Sequence, residues 1–178
     1  MRYFCGIILL ILTSCKDSEV KKLNSPIPQT PKKDWSEGHS IDYHTEVNER
    51  EQISIAFFLE QHKELNMVTT SSGLRYQIIQ SNPKGTPGIP EKTALFTVKV
   101  RLLDGKLCYE SDENFYEELK IDHNDRESGL NEALKLMKTG EKAKLILPNH
   151  LAHGLVGDLK SIPPLSILIV DLELHQIQ

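Results

Sequence analysis

His150 and His153 stand three apart in Asn149-His150-Leu151-Ala152-His153, a spacing that could in principle place two imidazoles on one metal ion. Zinc would need both on one face of a helix, plus further ligands. Pro148 before the segment and Gly154 after it argue for a loop instead, so His153 is read as a pocket-lining side chain and no metal or other cofactor is expected. Cys108 is the one thiol in the part that could fold, because Cys5 and Cys15 lie at the amino terminus. A structural disulfide is therefore not expected, and Cys108 is read as a small, half-buried strand residue without chemistry. The charged run from Asp122 to Glu127 is read as a solvated loop rather than a partner site.

The elements that must position such residues fit one domain. A chain of 178 residues has room for one core with extensions, since domains cluster near about 100 to 150 residues. Its 39% hydrophobic and 26% charged residues suit a globular protein. Lys and Arg total 21 against 25 Asp and Glu, and no basic cluster is interleaved with aromatics, so nucleic acid is not an expected partner.

The amino terminus is a different kind of segment. Arg2 gives a positive start, Phe4 to Leu12 is apolar except at Cys5 and Gly6, and small polar residues follow. That is the layout of a secretory signal. A spanning helix needs about 20 apolar residues, so the run is too short to cross a membrane once mature. Leu12-Thr13-Ser14-Cys15 resembles the bacterial lipobox, in which the cysteine thiol receives a diacylglycerol and the signal is cut just before it. Several acyl chains on Cys15 would hold the protein stably on a membrane of the cell envelope, facing the periplasm or the surface.

These features divide the chain into a signal peptide (1–14), a lipidated cysteine with a flexible linker (15–45), an amino-terminal helix (46–66) and a folded domain (67–178). The linker is polar and prolyl, with Ser25-Pro26, Ile27-Pro28 and Thr30-Pro31. Ile53, Ala56 and Phe57, with Phe58 and Leu59 nearby, predict a short amphipathic helix from about Asn48 whose apolar stripe packs on the body. Alternation predicts strands at Leu74–Ile79 and Ala94–Leu103, the second turned by Asp104-Gly105. Tyr109 lies in a third extended stretch, Leu119 to Ile121 in a short fourth, and Lys142–Pro148 and Leu165–Ile177 close the set. Leu130, Leu134 and Met137 share one face of a helix that Gly140 ends. Many strands and one internal helix predict an α+β fold, an antiparallel sheet wrapped around a short helix.

Gly129-Leu130, Met137, Gly140-Glu141-Lys142-Ala143-Lys144, Pro148, Leu151-Ala152-His153-Gly154, Gly157, Ile162-Pro163-Pro164 and Leu168 to Leu174 occur in the order and spacing of a known signature. Asp104-Gly105 and Tyr109-Glu110-Ser111 match its first hairpin with one residue inserted. Residues 67 to 178 thus resemble the FKBP-type peptidyl-prolyl cis-trans isomerases. With the anchor and leading helix, the chain is most similar to their Bacteroidota lipoprotein branch, the gliding-motility-associated GldI type.

The resemblance implies an isomerase that assists folding of extracytoplasmic proteins by turning prolyl bonds, without nucleophile or cofactor. It implies a pocket made by Tyr109, Leu130, His153, Ile162 and Val170, with Val98, Val100, Glu110, Leu119 and Glu127 contacting substrate and the Glu127 N–H holding its carbonyl. Four positions depart from the family's aromatics: Leu130 stands for the floor tryptophan, His153 for the loop tyrosine, Val170 for a phenylalanine, and Val98 or Val100 for a tyrosine. Glu117 likewise replaces an aromatic. The pocket is then wider and less aromatic, which keeps open an alternative: a chaperone or assembly module that grips prolyl segments with little catalysis. By the same analogy Glu110 is expected to meet His153.

Overall fold

The computed structural model describes residues 37–112, 115–123 and 126–178. Cys15, the signal expectation and the tether expectation for residues 16–36 lie outside these residues.

Two long central strands organise the fold. In β3 (Thr93–Leu102) and β7 (Leu168–Ile177) successive side chains point to opposite faces. Ala94, Phe96, Val98 and Val100 therefore enter the core beside Leu168, Val170, Leu172 and Leu174. The outward residues pair across strands instead: Arg101 donates to Asp171 at 2.5 Å, Lys144 contacts the same carboxylate, and Lys142 lies 2.9 Å from Glu173.

Around this pair, β1 (Val68–Thr69), β2 (Arg75–Gln80), β4 (Leu107–Glu110), β5 (Glu117–Lys120) and β6 (Glu141–Leu147) complete an antiparallel sheet in the order β1-β2-β6-β7-β3-β4. The β5 strand shares the free edge of β3 with β4, pairing Thr93 to Phe96 while β4 pairs Lys99 to Arg101. Helix α2 (Ser128–Leu136) lies against the inner face and buries Leu130, Ala133 and Leu134, with Met137 at its end. The fold is the expected α+β arrangement.

Gly129 sets how closely α2 approaches β6. A Cβ built on it would stand 1.9 Å from Leu147 Cδ2 and 2.9 Å from the Leu151 carbonyl oxygen. Gly129→Ala should therefore lower unfolding free energy by about 1–3 kcal/mol, as overpacking does in a dense core. Chemical denaturation checks this; an unchanged midpoint would show that helix and strand can separate freely.

The amino-terminal helix departs from the expectation in length and rotation. Helix α1 runs Glu37–Gln61, so residues 37–45, read as linker, are helical, and it stops before residue 66. Its inward side is Glu51, Ile55 and Phe58, while Ile53 and Phe57 are 69% and 62% exposed. The stripe inferred from hydrophobicity thus faces outward. A buried acid sets the rotation, since Glu51 Oε1 accepts the Asn149 backbone N–H at 2.6 Å and Asn149 Nδ2 at 3.0 Å.

The closing strand begins at Leu168 rather than Leu165. Leu165 takes a left-handed φ of 57° and donates its N–H to the Gly154 carbonyl at 2.9 Å, which folds residues 148–167 into a loop over the sheet's end.

Candidate functional site

Val98, Val100, Leu119, Leu130, Ile162 and Val170 all belong to one core cluster and are each 3% exposed or less. Tyr109, half-buried, packs against that cluster. The pairings explain the convergence: Val100 has Tyr109 as its partner on one side and Val170 on the other. Leu130 approaches from the first turn of α2, Leu119 from β5, and Ile162 from the 148–167 loop. These residues thus share one core, within which Tyr109, Val100 and Val170 stand in direct strand register.

Beside this apolar set lies a group of charges that sequence reasoning missed. Arg126 donates from Nη1 to Glu117 Oε2 at 2.5 Å, from Nη2 to the Tyr109 hydroxyl oxygen at 2.5 Å, and from Nε to Glu127 Oε2 at 3.2 Å. Its guanidinium carbon lies 5.9 Å from the centre of the Phe96 ring. Ser111 completes the set by donating its hydroxyl to Glu117 Oε1 at 2.5 Å. The charged run 122–127 is therefore not all solvated loop: the Arg126 side chain is 25% exposed and that of Glu127 only 9%. Burial, reinforced by the carboxylates of Glu127 and Glu117, pushes the Tyr109 phenol well above its usual range against the pull of Arg126. Burial works the other way on Arg126, yet its bond to Glu117 and the neighbouring Tyr109 and Glu127 hold the guanidinium firmly charged.

Glu127 caps the amino end of α2 with extended backbone, φ −54° and ψ 131°, and makes no side-chain cap. Among the described residues no acceptor takes its N–H. That donor sits at the amino end of α2, where the helix dipole adds to its pull on a carbonyl oxygen.

His153 meets Glu127, not Glu110. Its Nε2 lies 2.8 Å from Glu127 Oε1, buried and without the direction of a well-formed hydrogen bond, so the contact is an ion pair when the ring is protonated. Glu110 is instead exposed and pairs with Lys99 at 2.8 Å. The reason is strand alternation: with Tyr109 pointing inward, the next residue must point outward. His150, the other imidazole, sits against the Ser72 carbonyl at 2.9 Å.

The loop that carries His153 and Ile162 is ordered by Asp158. Its Oδ1 accepts the N–H groups of Lys160, Ser161 and Ile162 at 2.9, 2.9 and 2.7 Å. Partial burial opposes ionisation, but these donors outweigh it, the Ile162 N–H first, and hold the carboxyl down to about 2. A group whose pKa is depressed by folding stabilises above its ordinary range and loses that contribution as it protonates. The Ile162 amide should accordingly lose protection from hydrogen exchange as pH falls from 3.8 towards about 2, and lose it at neutral pH in Asp158→Asn.

A hollow of about 590 Å³ opens on the opposite, outer face of the sheet, lined by Thr97, Lys99, Glu110, Tyr116 and His175. Its charges are matched within the protein, Lys99 with Glu110 and Lys142 with Glu173, and it lacks the inner site's helix amino end.

The inner apolar set is closed over, Leu130 and Val170 being 2% and 1% exposed, and the Glu127 N–H stands at the amino end of α2, the helix that carries Leu130. The sequence profile of the FKBP-type peptidyl-prolyl cis-trans isomerases matches residues 86–175. The chain belongs to that family.

Two curated relatives and one solved structure give the scale of the likeness. The FKBP-type isomerase FkpA of Escherichia coli strain K12 is 36% identical over 118 residues, covering 65% of this chain and 42% of FkpA. The FKBP-type 22 kDa isomerase of the same strain is 33% identical over 125 residues, 69% of this chain and 59% of that protein. The crystal structure of Escherichia coli FkpA superposes with a TM-score of 0.61 at 29% identity, over 79% of this chain and 64% of that one. This chain thus spans less than half the length of FkpA. Within the FKBP domain Tyr109 packs on the buried cluster and accepts a hydrogen bond from Arg126, which also pairs with Glu117.

Proposed function

We propose that the protein is a peptidyl-prolyl cis-trans isomerase, anchored to the bacterial envelope through Cys15, that assists folding of extracytoplasmic proteins. The observation that carries the reading is that Leu130, Ile162 and Val170 share one buried cluster, with Tyr109 packed against it and Glu127 capping the helix that carries Leu130. Rotation about a peptide bond faces a barrier of about 18–20 kcal/mol, because it breaks the amide resonance. The twisted amide is less polar than the planar one, so an apolar, water-poor enclosure favours the transition state over the ground state. In this reading the Glu127 N–H holds the substrate carbonyl, Tyr109 and Ile162 flank the proline ring, and His153 borders the entrance from the loop.

A second reading is favoured by one observation, the Arg126–Glu117 ion pair beside the apolar set. A charged wall retains water and weakens the preference for the twisted amide, which suits a module that grips prolyl segments and turns them slowly. Proline-limited refolding of a client protein, with the full chain in detergent, separates the two. Acceleration of the slow phase supports the isomerase, whereas an unchanged slow phase with suppressed aggregation supports the chaperone.

The lipobox at Leu12 to Cys15 supports the anchor and the likeness to the GldI-type lipoproteins of Bacteroidota. Cys15→Ser should abolish acyl labelling and leave the protein unprocessed or free of membranes. Unaltered labelling of that variant would refute the anchor.

A further inference from the structure

Glu51 is a buried carboxylate, 5% exposed, on a helix outside the region that the family profile matches. Its Oε1 takes both the backbone N–H and the side-chain Nδ2 of Asn149, itself 7% exposed, while its Oε2 is buried without a hydrogen bond. Arg75 is near enough to act on it as a charge and is held in place by donating to Gln52 Oε1 at 2.5 Å. Burying an acid on an otherwise amphipathic helix is costly unless the group does something there that an apolar residue could not.

What it holds is the root of the site's loop. The Asn149 carbonyl accepts the N–H groups of Ala152 at 3.0 Å and Gly154 at 2.8 Å, and so closes the turn that contains His153. His153 in turn reaches Glu127, which caps the amino end of α2 and whose carboxylate binds Arg126. From Glu51 to the site the linkage runs through two residues, Asn149 and His153. We infer that Glu51 of α1 is a positioning residue for the prolyl site, setting the place of the His153 loop through Asn149, so that α1 is a working part of the isomerase and not only a spacer. The inference rests on the proposed site.

The test uses the full chain with three single variants and one double. Glu51→Leu keeps the volume and removes the acceptor; Glu51→Gln keeps an oxygen that can still accept both Asn149 donors. Glu51→Leu should raise KM for a prolyl peptide about tenfold, as loss of a buried hydrogen bond implies, with kcat nearly unchanged. It should also move the NMR resonances of the His153 ring, and Glu51→Gln should restore both. Asn149→Asp sets two carboxylates together and should disturb the ring likewise, with Glu51→Gln added to it giving recovery because the amide nitrogen can then donate. Should Glu51→Leu not fold, the Asn149→Asp pair of variants answers the same question. Wild-type KM and unmoved His153 resonances in a folded Glu51→Leu or Asn149→Asp would overturn the inference. So would equal disturbance in Glu51→Gln. The ring resonances report on Glu51 even if the full chain proves unable to isomerise, so the two readings fail separately.

Discussion

Arg126→Val combined with Glu117→Phe should raise prolyl isomerase activity about tenfold or more, while either change alone should destabilise the protein. Arg126 and Glu117 are each a quarter exposed and joined at 2.5 Å. Removing one partner strands the other charge beside Leu119 and Phe96, at a cost near the lower end of the ~3–5 kcal/mol known for broken buried pairs. Removing both replaces that pair with apolar volume, which is commonly neutral or stabilising, and leaves the Glu127 carboxylate with His153 as its remaining ionic partner. The gain in activity follows from the dielectric. With this ion pair gone the wall holds less water, and each 1.36 kcal/mol by which the drier site favours the twisted amide is a factor of ten in rate. Tyr109 loses its guanidinium donor in the double variant. Its hydroxyl must then find water, and adding Tyr109→Phe should recover any stability lost there. Refolding kinetics and denaturant midpoints of both singles and the double are the measurements. A double variant no faster than wild type would mean that the ion pair does not restrain catalysis.

That network explains why the fold was more legible than the site. Strands β3 and β7 announce themselves through period-two alternation, and α2 through Leu130, Leu134 and Met137 ending at Gly140, because burial imposes those periods directly. Polar placement has no such period. Glu117 could be seen as an acid at an aromatic position, but its cation lies nine residues on, across a loop, in a run that reads as solvated. The signal available was the requirement itself: an acid moved into a core needs a partner, and Arg126 is the nearest arginine after it. Glu110 was misplaced because the inserted residue in the first hairpin shifts the β3–β4 register between Val100 and Arg101, leaving Tyr109 inward and its neighbour outward. The helix α1 misled in the same way. A stripe of Ile53, Ala56 and Phe57 outweighs one Glu51 on any hydrophobic scale, yet two hydrogen bonds to Asn149 turn the helix by the acid.

The same distinction, between residues that touch a proline and residues that hold the site in shape, decides what Leu130 does. Leu130→Ala should cost stability heavily and activity little. The side chain is 2% exposed and belongs to the core cluster that residues of β3, β7 and the 148–167 loop share. Truncating a leucine so enclosed removes its transfer free energy and leaves a cavity, together about 2–5 kcal/mol. A tryptophan at a pocket floor presents a face to substrate, whereas a leucine this deeply covered presents almost none, so its work is to seat α2 and hence the Glu127 N–H. The folded fraction of Leu130→Ala should thus keep KM and kcat within a few-fold of wild type at low temperature, while its denaturant midpoint falls sharply. Glu51→Leu, acting through Asn149 at the root of the loop, should give the opposite pattern, with a marked rise in KM and a smaller fall in denaturant midpoint. If Leu130→Ala instead loses kcat in proportion to stability even where it is fully folded, the leucine contacts the twisting amide and the floor is shallower than its burial implies.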